Sequence, residues 1–142
     1  MPNRKASAVW EGGLKTGKGT FKGDTGAISG NYSFSSRFEE GQGSNPEELL
    51  AAAHAACFSM AFSAQLEGNG TPPDRVETNA VCTVEKVGAG FKITTMKLTT
   101  RAKVPKVDAA KFQELANAAL EGCPVSQVFK GNLKMELDAK LV

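Results

Sequence analysis

Few residues in this chain have chemistry to offer. It holds three cysteines, Cys57, Cys82 and Cys123, and one histidine, His54. His54 and Cys57 share the stretch HAACFSMAF, inside a run from Leu49 to Leu66 that has no Asp, Glu, Lys or Arg. Cysteine reacts as the thiolate, and apolar burial raises the free-thiol pKa of about 8.5. Cys57 is therefore either inert packing or a nucleophile with a fixed positive charge beside it. Arg37, in the glycine-bearing loop sequence SSRFEEGQG, is the candidate charge; its ordinary reading is a solvated or salt-bridged surface residue. Cys123 follows Gly122 and precedes Pro124. That is a helix-cap setting, where backbone N–H groups stabilise a thiolate, although a plain turn cysteine has the same neighbours.

The remaining candidates are weaker. Cys82 lies between Val81 and Val84 in a β-rich run and reads as strand filler. His54 stands three residues before Cys57 and reads as a packed or hydrogen-bonded interface group, outside the catalytic set. One histidine on the nucleophile's own helix, with no third orienting residue, makes no protease triad. Three cysteines and a histidine are a chemically reasonable zinc set, but no Cys-x-x-Cys pair is present, so no metal is expected. An odd, widely spaced cysteine set is not a structural disulfide framework.

These residues need elements to hold them. Asn45 can cap a helix, Pro46 suits its first position, and Glu48 stands three residues after the cap. The helix should run to near Glu67, with Gly68 as its stop. On it, Cys57 shares a stripe with Leu50, Ala53, His54, Met60, Ala61 and Ala64. The uncharged run spans 18 residues, long enough for a membrane, but seven of them are Ala, so a buried core helix is expected instead. Residues 5–35 read as a hairpin or meander. VETNAVCTVEKV and FKITTMKLTTRAKV read as strands joined at Gly88-Ala89-Gly90. Asp108 caps a second helix with the stripe Phe112, Leu115, Ala116, Ala119 and Leu120, PVSQVFK starts a short third, and NLKMELDAKLV alternates as a last strand. The expected class is α+β, with antiparallel sheets wrapped around two central helices, in a single domain over 1–142. The net charge is +2 with no basic block, which gives no case for nucleic acid or a membrane surface. Met1-Pro2-Asn3-Arg4-Lys5 leads into polar residues rather than an apolar signal core, so a cytoplasmic protein is expected.

RFEEGQGSNPEELLAAAHAACFSMAF, followed by EGCPVSQVFKG, resembles the osmotically inducible protein C (OsmC) family, related to the organic hydroperoxide resistance (Ohr) proteins. The likeness runs from Trp10 through the last strand, and the position of Arg37 and the CPVS form favour the OsmC branch. The resemblance implies an OsmC-like intertwined homodimer with active sites at the subunit interface. It implies a peroxidase acting on organic hydroperoxides, with Cys57 as peroxidatic nucleophile, Cys123 as resolving cysteine, and Arg37 paired with Glu48. A lipoyl-type or other dithiol would reduce it, and no cofactor is required. The alternative is a non-enzymatic small-molecule or stress-binding domain with inert cysteines. One expectation comes from spacing: Glu48 and Cys57, nine residues apart on one helix, differ by about 13 Å of rise and roughly half a turn. They cannot meet within it, so Arg37 and Glu48 are expected to reach Cys57 from a partner subunit.

Overall fold

Glycine punctuation breaks the start of the chain into three short strands: β1 (Ala6–Glu11), β2 (Lys18–Gly23) and β3 (Ser29–Tyr32). They form an antiparallel sheet in the order β1-β2-β3. Trp10 and Tyr32 pack with ring centroids 5.4 Å apart, and a Cβ at Gly19 would stand 2.5 Å from the Tyr32 ring. Only glycine lets these two rings close over the middle strand. The computed structural model describes residues 1–142, and the chain divides into two units, Met1–Leu49 and Leu50–Val142.

A five-residue helix, α1 (Phe34–Phe38), follows β3. Ser33 caps it reciprocally with Ser36, each hydroxyl accepting from the other's backbone N–H. Arg37 therefore sits on a helix rather than in the expected loop. The long helix α2 (Pro46–Gly68) starts as expected, with the Glu48 N–H donating to Asn45 Oδ1 at 2.7 Å. Its stop is Gly70, not Gly68. Thr71 N–H reaches back to the Leu66 carbonyl and Gly70 N–H to that of Glu67, with Gly70 at φ +81. This double return bond needs a left-handed residue, which glycine supplies without strain.

The second sheet orders β4 (Arg75–Val87), β5 (Gly90–Lys103) and β6 (Lys134–Leu141), with α3 (Ala109–Gly122) and α4 (Pro124–Phe129) between the last two. β4 and β5 are antiparallel across the Gly88-Ala89 turn. β6 runs parallel to β5, which corrects the expectation of antiparallel sheets throughout. The reason is the connection: a helical crossover returns the chain to the same end of the sheet, so the next strand points the same way. Met96, Leu98, Thr100 and Ala102 alternate along central β5 and point inward. They meet Phe112, Leu115, Ala116 and Ala119 of α3 and Phe58, Phe62 and Leu66 of α2. Each buried Phe, Leu or Met among them stabilises the fold by roughly 1.5–3 kcal/mol, and each Ala by less.

α2 is long and apolar enough to cross a membrane by length and composition. Its stripe His54, Phe58, Phe62 and Leu66 is instead fully buried among the residues of the second unit. The helix is not buried all round, as had been expected: Ala52, Ala53, Ala56, Met60 and Ala64 are exposed in the single chain.

Candidate active site

Cys57 lies midway along α2 and is partly buried, whereas Cys123 is fully buried. Cys123 ends α3 and is also the N-cap residue of α4, with Pro124 in the first turn, as the Gly-Cys-Pro order predicted. The fold brings the two thiols together. Cys57 shares a hydrogen bond with the Cys123 side chain and accepts another from the Val125 backbone N–H, in the first turn of α4. Burial above all, then the Cys123 thiol, pushes the Cys57 thiol above its ordinary value, while the Val125 N–H pulls it down. An ionised Cys57 therefore needs more favourable charge than these neighbours provide. Cys82, on β4 opposite Met96, packs against the core as expected.

Arg37 forms a close ion pair, but with a different acid from the one expected. Arg37 Nε donates to Glu47 Oε1 at 3.0 Å and Oε2 at 3.3 Å, and Nη2 donates to Oε1 at 2.8 Å. Glu47 is buried. Glu48 points elsewhere and accepts from Ser44 Oγ at 3.1 Å. The correction has a helical cause. Glu47 lies seven residues, nearly two turns, before His54 and so belongs to the inward stripe; Glu48 is rotated a further 100°. That spacing was the available signal. The Arg37 guanidinium also lies 5.1 Å from the Phe38 ring centroid. Arg37 and Phe38 border a cavity of about 250 Å³ whose walls include Trp10, Leu14, Tyr32 and Phe34. Both charged partners lie in the first unit and both thiols in the second.

His54 is fully buried, with Nε2 2.7 Å from Ser126 Oγ, and burial lowers its pKa. It is packed and hydrogen-bonded, as expected, but within this chain rather than at an interface. Its partner Ser126 and the Val125 N–H were missed, because a contact to a backbone amide or across 72 residues leaves no local mark.

A protein-family model described as OsmC-like protein matches residues 39–138. The chain is 44% identical over 139 residues to Peroxiredoxin OsmC of Escherichia coli (strain K12), covering 97% of each. It is 34% identical over 124 residues to the organic hydroperoxide resistance protein OhrB of Bacillus subtilis (strain 168), covering 86% of this chain and 89% of that one. The crystal structure of the Bacillus subtilis OhrB superposes with a TM-score of 0.75 at 30% identity, over 96% of this chain and 98% of that one. The OsmC-like protein of Mycoplasma pneumoniae shares the fold, at a TM-score of 0.76 and 16% identity, over 99% of this chain and 98% of that one.

Proposed function

This chain belongs to the OsmC-like protein family, and from that premise we infer that it is a thiol peroxidase reducing organic hydroperoxides to alcohols. The observation that carries the reading is the contact between the Cys57 and Cys123 thiols, with the Val125 N–H on the Cys57 sulfur. The Cys57 thiolate attacks the peroxide; an S–O bond forms, the O–O bond breaks, and the alkoxide leaves as the alcohol after taking a proton. Cys57 becomes a sulfenic acid. Cys123 attacks its sulfur, the oxygen departs as water, and a disulfide closes before over-oxidation. An external dithiol, of lipoyl or similar type, reduces that disulfide by exchange and leaves as its own disulfide.

Arg37 supplies the charge that Cys57 lacks. Glu47 holds Nε and Nη2, which leaves Nη1 to face the thiolate and the peroxide oxygens. Glu47 and Cys57 are ten residues apart on one helix, about 15 Å of rise, so Arg37 serves the Cys57 of a partner subunit. The protein is then a homodimer with shared sites, each chain being one OsmC-like domain. Two features support this: β1 is exposed on both faces, and so is the alanine-rich face of α2. The apolar walls beside Arg37 suit an alkyl or aryl peroxide tail. We assign the protein to the cytoplasm, where dithiols keep the pair reduced.

Peroxide consumption by the purified protein tests this reading. Cumene hydroperoxide should be consumed faster than hydrogen peroxide, and faster with dihydrolipoamide than with thioredoxin as reductant. Cys57→Ser should abolish turnover; an active Cys57→Ser protein would reject the assignment.

A further inference from the structure

α2 and α4 meet at two points with matched spacing. Cys57 meets Cys123 and the Val125 N–H. His54, three residues before Cys57, meets Ser126, three residues after Cys123. The two contacts therefore run in antiparallel register, each pair one turn apart. α4 needs such an anchor. It has six residues, and Cys123 at its N-cap makes no side-chain capping bond. A helix that short does not hold its shape unaided.

His54 is built for this anchor at some cost. It is fully buried, its ring stands edge-on to Phe129 at 5.1 Å, and its Nδ1 has no hydrogen-bond partner. An apolar side chain would fill the same space with no orphaned nitrogen. What imidazole adds is the bond to Ser126. We propose that His54 is a positioning residue: through Ser126 and Phe129 it holds the first turn of α4 on α2, so that the Val125 N–H and Cys123 stay against Cys57. Burial disfavours its protonated form, so it is not the positive charge that Cys57 needs. The step that depends on it is disulfide closure. The sulfurs must pass from hydrogen-bond contact to a covalent separation of about 2.05 Å, and a drifting α4 would leave the sulfenic acid open to a second peroxide.

The inference rests on Cys57 and Cys123 being the working pair. Two readings test it without hydroperoxide: the rate at which oxidised glutathione closes the Cys57–Cys123 disulfide, and the pH midpoint of Cys57 alkylation by iodoacetamide. Ser126→Ala should slow closure roughly three- to tenfold, the loss of one hydrogen bond, and shift the midpoint upward. His54→Leu should match it, and the double variant should be no worse than either single one. His54→Gln, whose amide reaches as far as Nε2, should restore both readings. A folded Ser126→Ala protein that keeps the wild-type value of either reading overturns the proposal, and so does a double variant whose defects add. If His54→Leu fails to fold, Ser126→Ala and His54→Gln still decide. Wild-type protein that consumes no hydroperoxide would defeat the peroxidase reading alone and leave these measurements interpretable.

Discussion

Glu47 and Glu48 are chemically alike and differ by one step around a helix. The inward step puts Glu47 under the Arg37 guanidinium, and the outward step leaves Glu48 bonded to Ser44. Glu47→Gln should lower peroxide turnover about 10- to 100-fold, because a guanidinium displaced by an ångström no longer meets the reacting oxygens. Glu48→Gln should stay within about threefold of wild type in the same assay, since its bond to Ser44 is exposed. His54 gives a second test at this scale. Burial depresses its pKa, so the unfolded chain takes up its proton first as pH falls. Its contribution to stability is complete above the ordinary value of about 6.5 and is lost progressively below it, at up to about 1.4 kcal/mol per pH unit. Urea unfolding from pH 7 to 5 should show this slope in wild type and a shallower one in His54→Gln.

Helix ends and strand directions were unequally legible in the sequence. Asn45-Pro46 and Asp108 marked helix starts, and Gly122-Cys123-Pro124 marked the cap on which Cys123 sits, because capping is local chemistry. α1 escaped notice because its capping box uses Ser36 in the place usually held by Glu or Gln. β6 was recognisable as a strand, but a period-two pattern carries no direction, so its parallel pairing was not readable. Gly68 and Gly70 both fit the sequence pattern of a helix stop, but of the two only Gly70 has the positive φ. Gly70→Ala should therefore destabilise the protein by about 1–2 kcal/mol in urea unfolding, although open space surrounds the position. Gly68→Ala, inside the helix, should be neutral or slightly stabilising by the same measurement.

At the scale of the whole molecule, the proposed peroxidase draws its guanidinium from one subunit and its thiols from the partner. Subunit mixing tests that geometry. Arg37→Ala and Cys57→Ser chains should each be inactive alone. Co-refolded, half of randomly paired dimers are mixed and carry one complete site of two, which should restore about a quarter of wild-type activity. A site complete within one chain would restore none. The resemblance of RFEEGQGSNPEELLAAAHAACFSMAF supplied the activity, whereas composition alone left Cys57 as well explained by inert packing. The most direct measurement is therefore a peptide map of fully reduced protein after an equimolar dose of cumene hydroperoxide. The account predicts one new cross-link, Cys57 to Cys123, with Cys82 still alkylatable. Peroxide consumed while Cys57 and Cys123 both remain open to alkylation would contradict it.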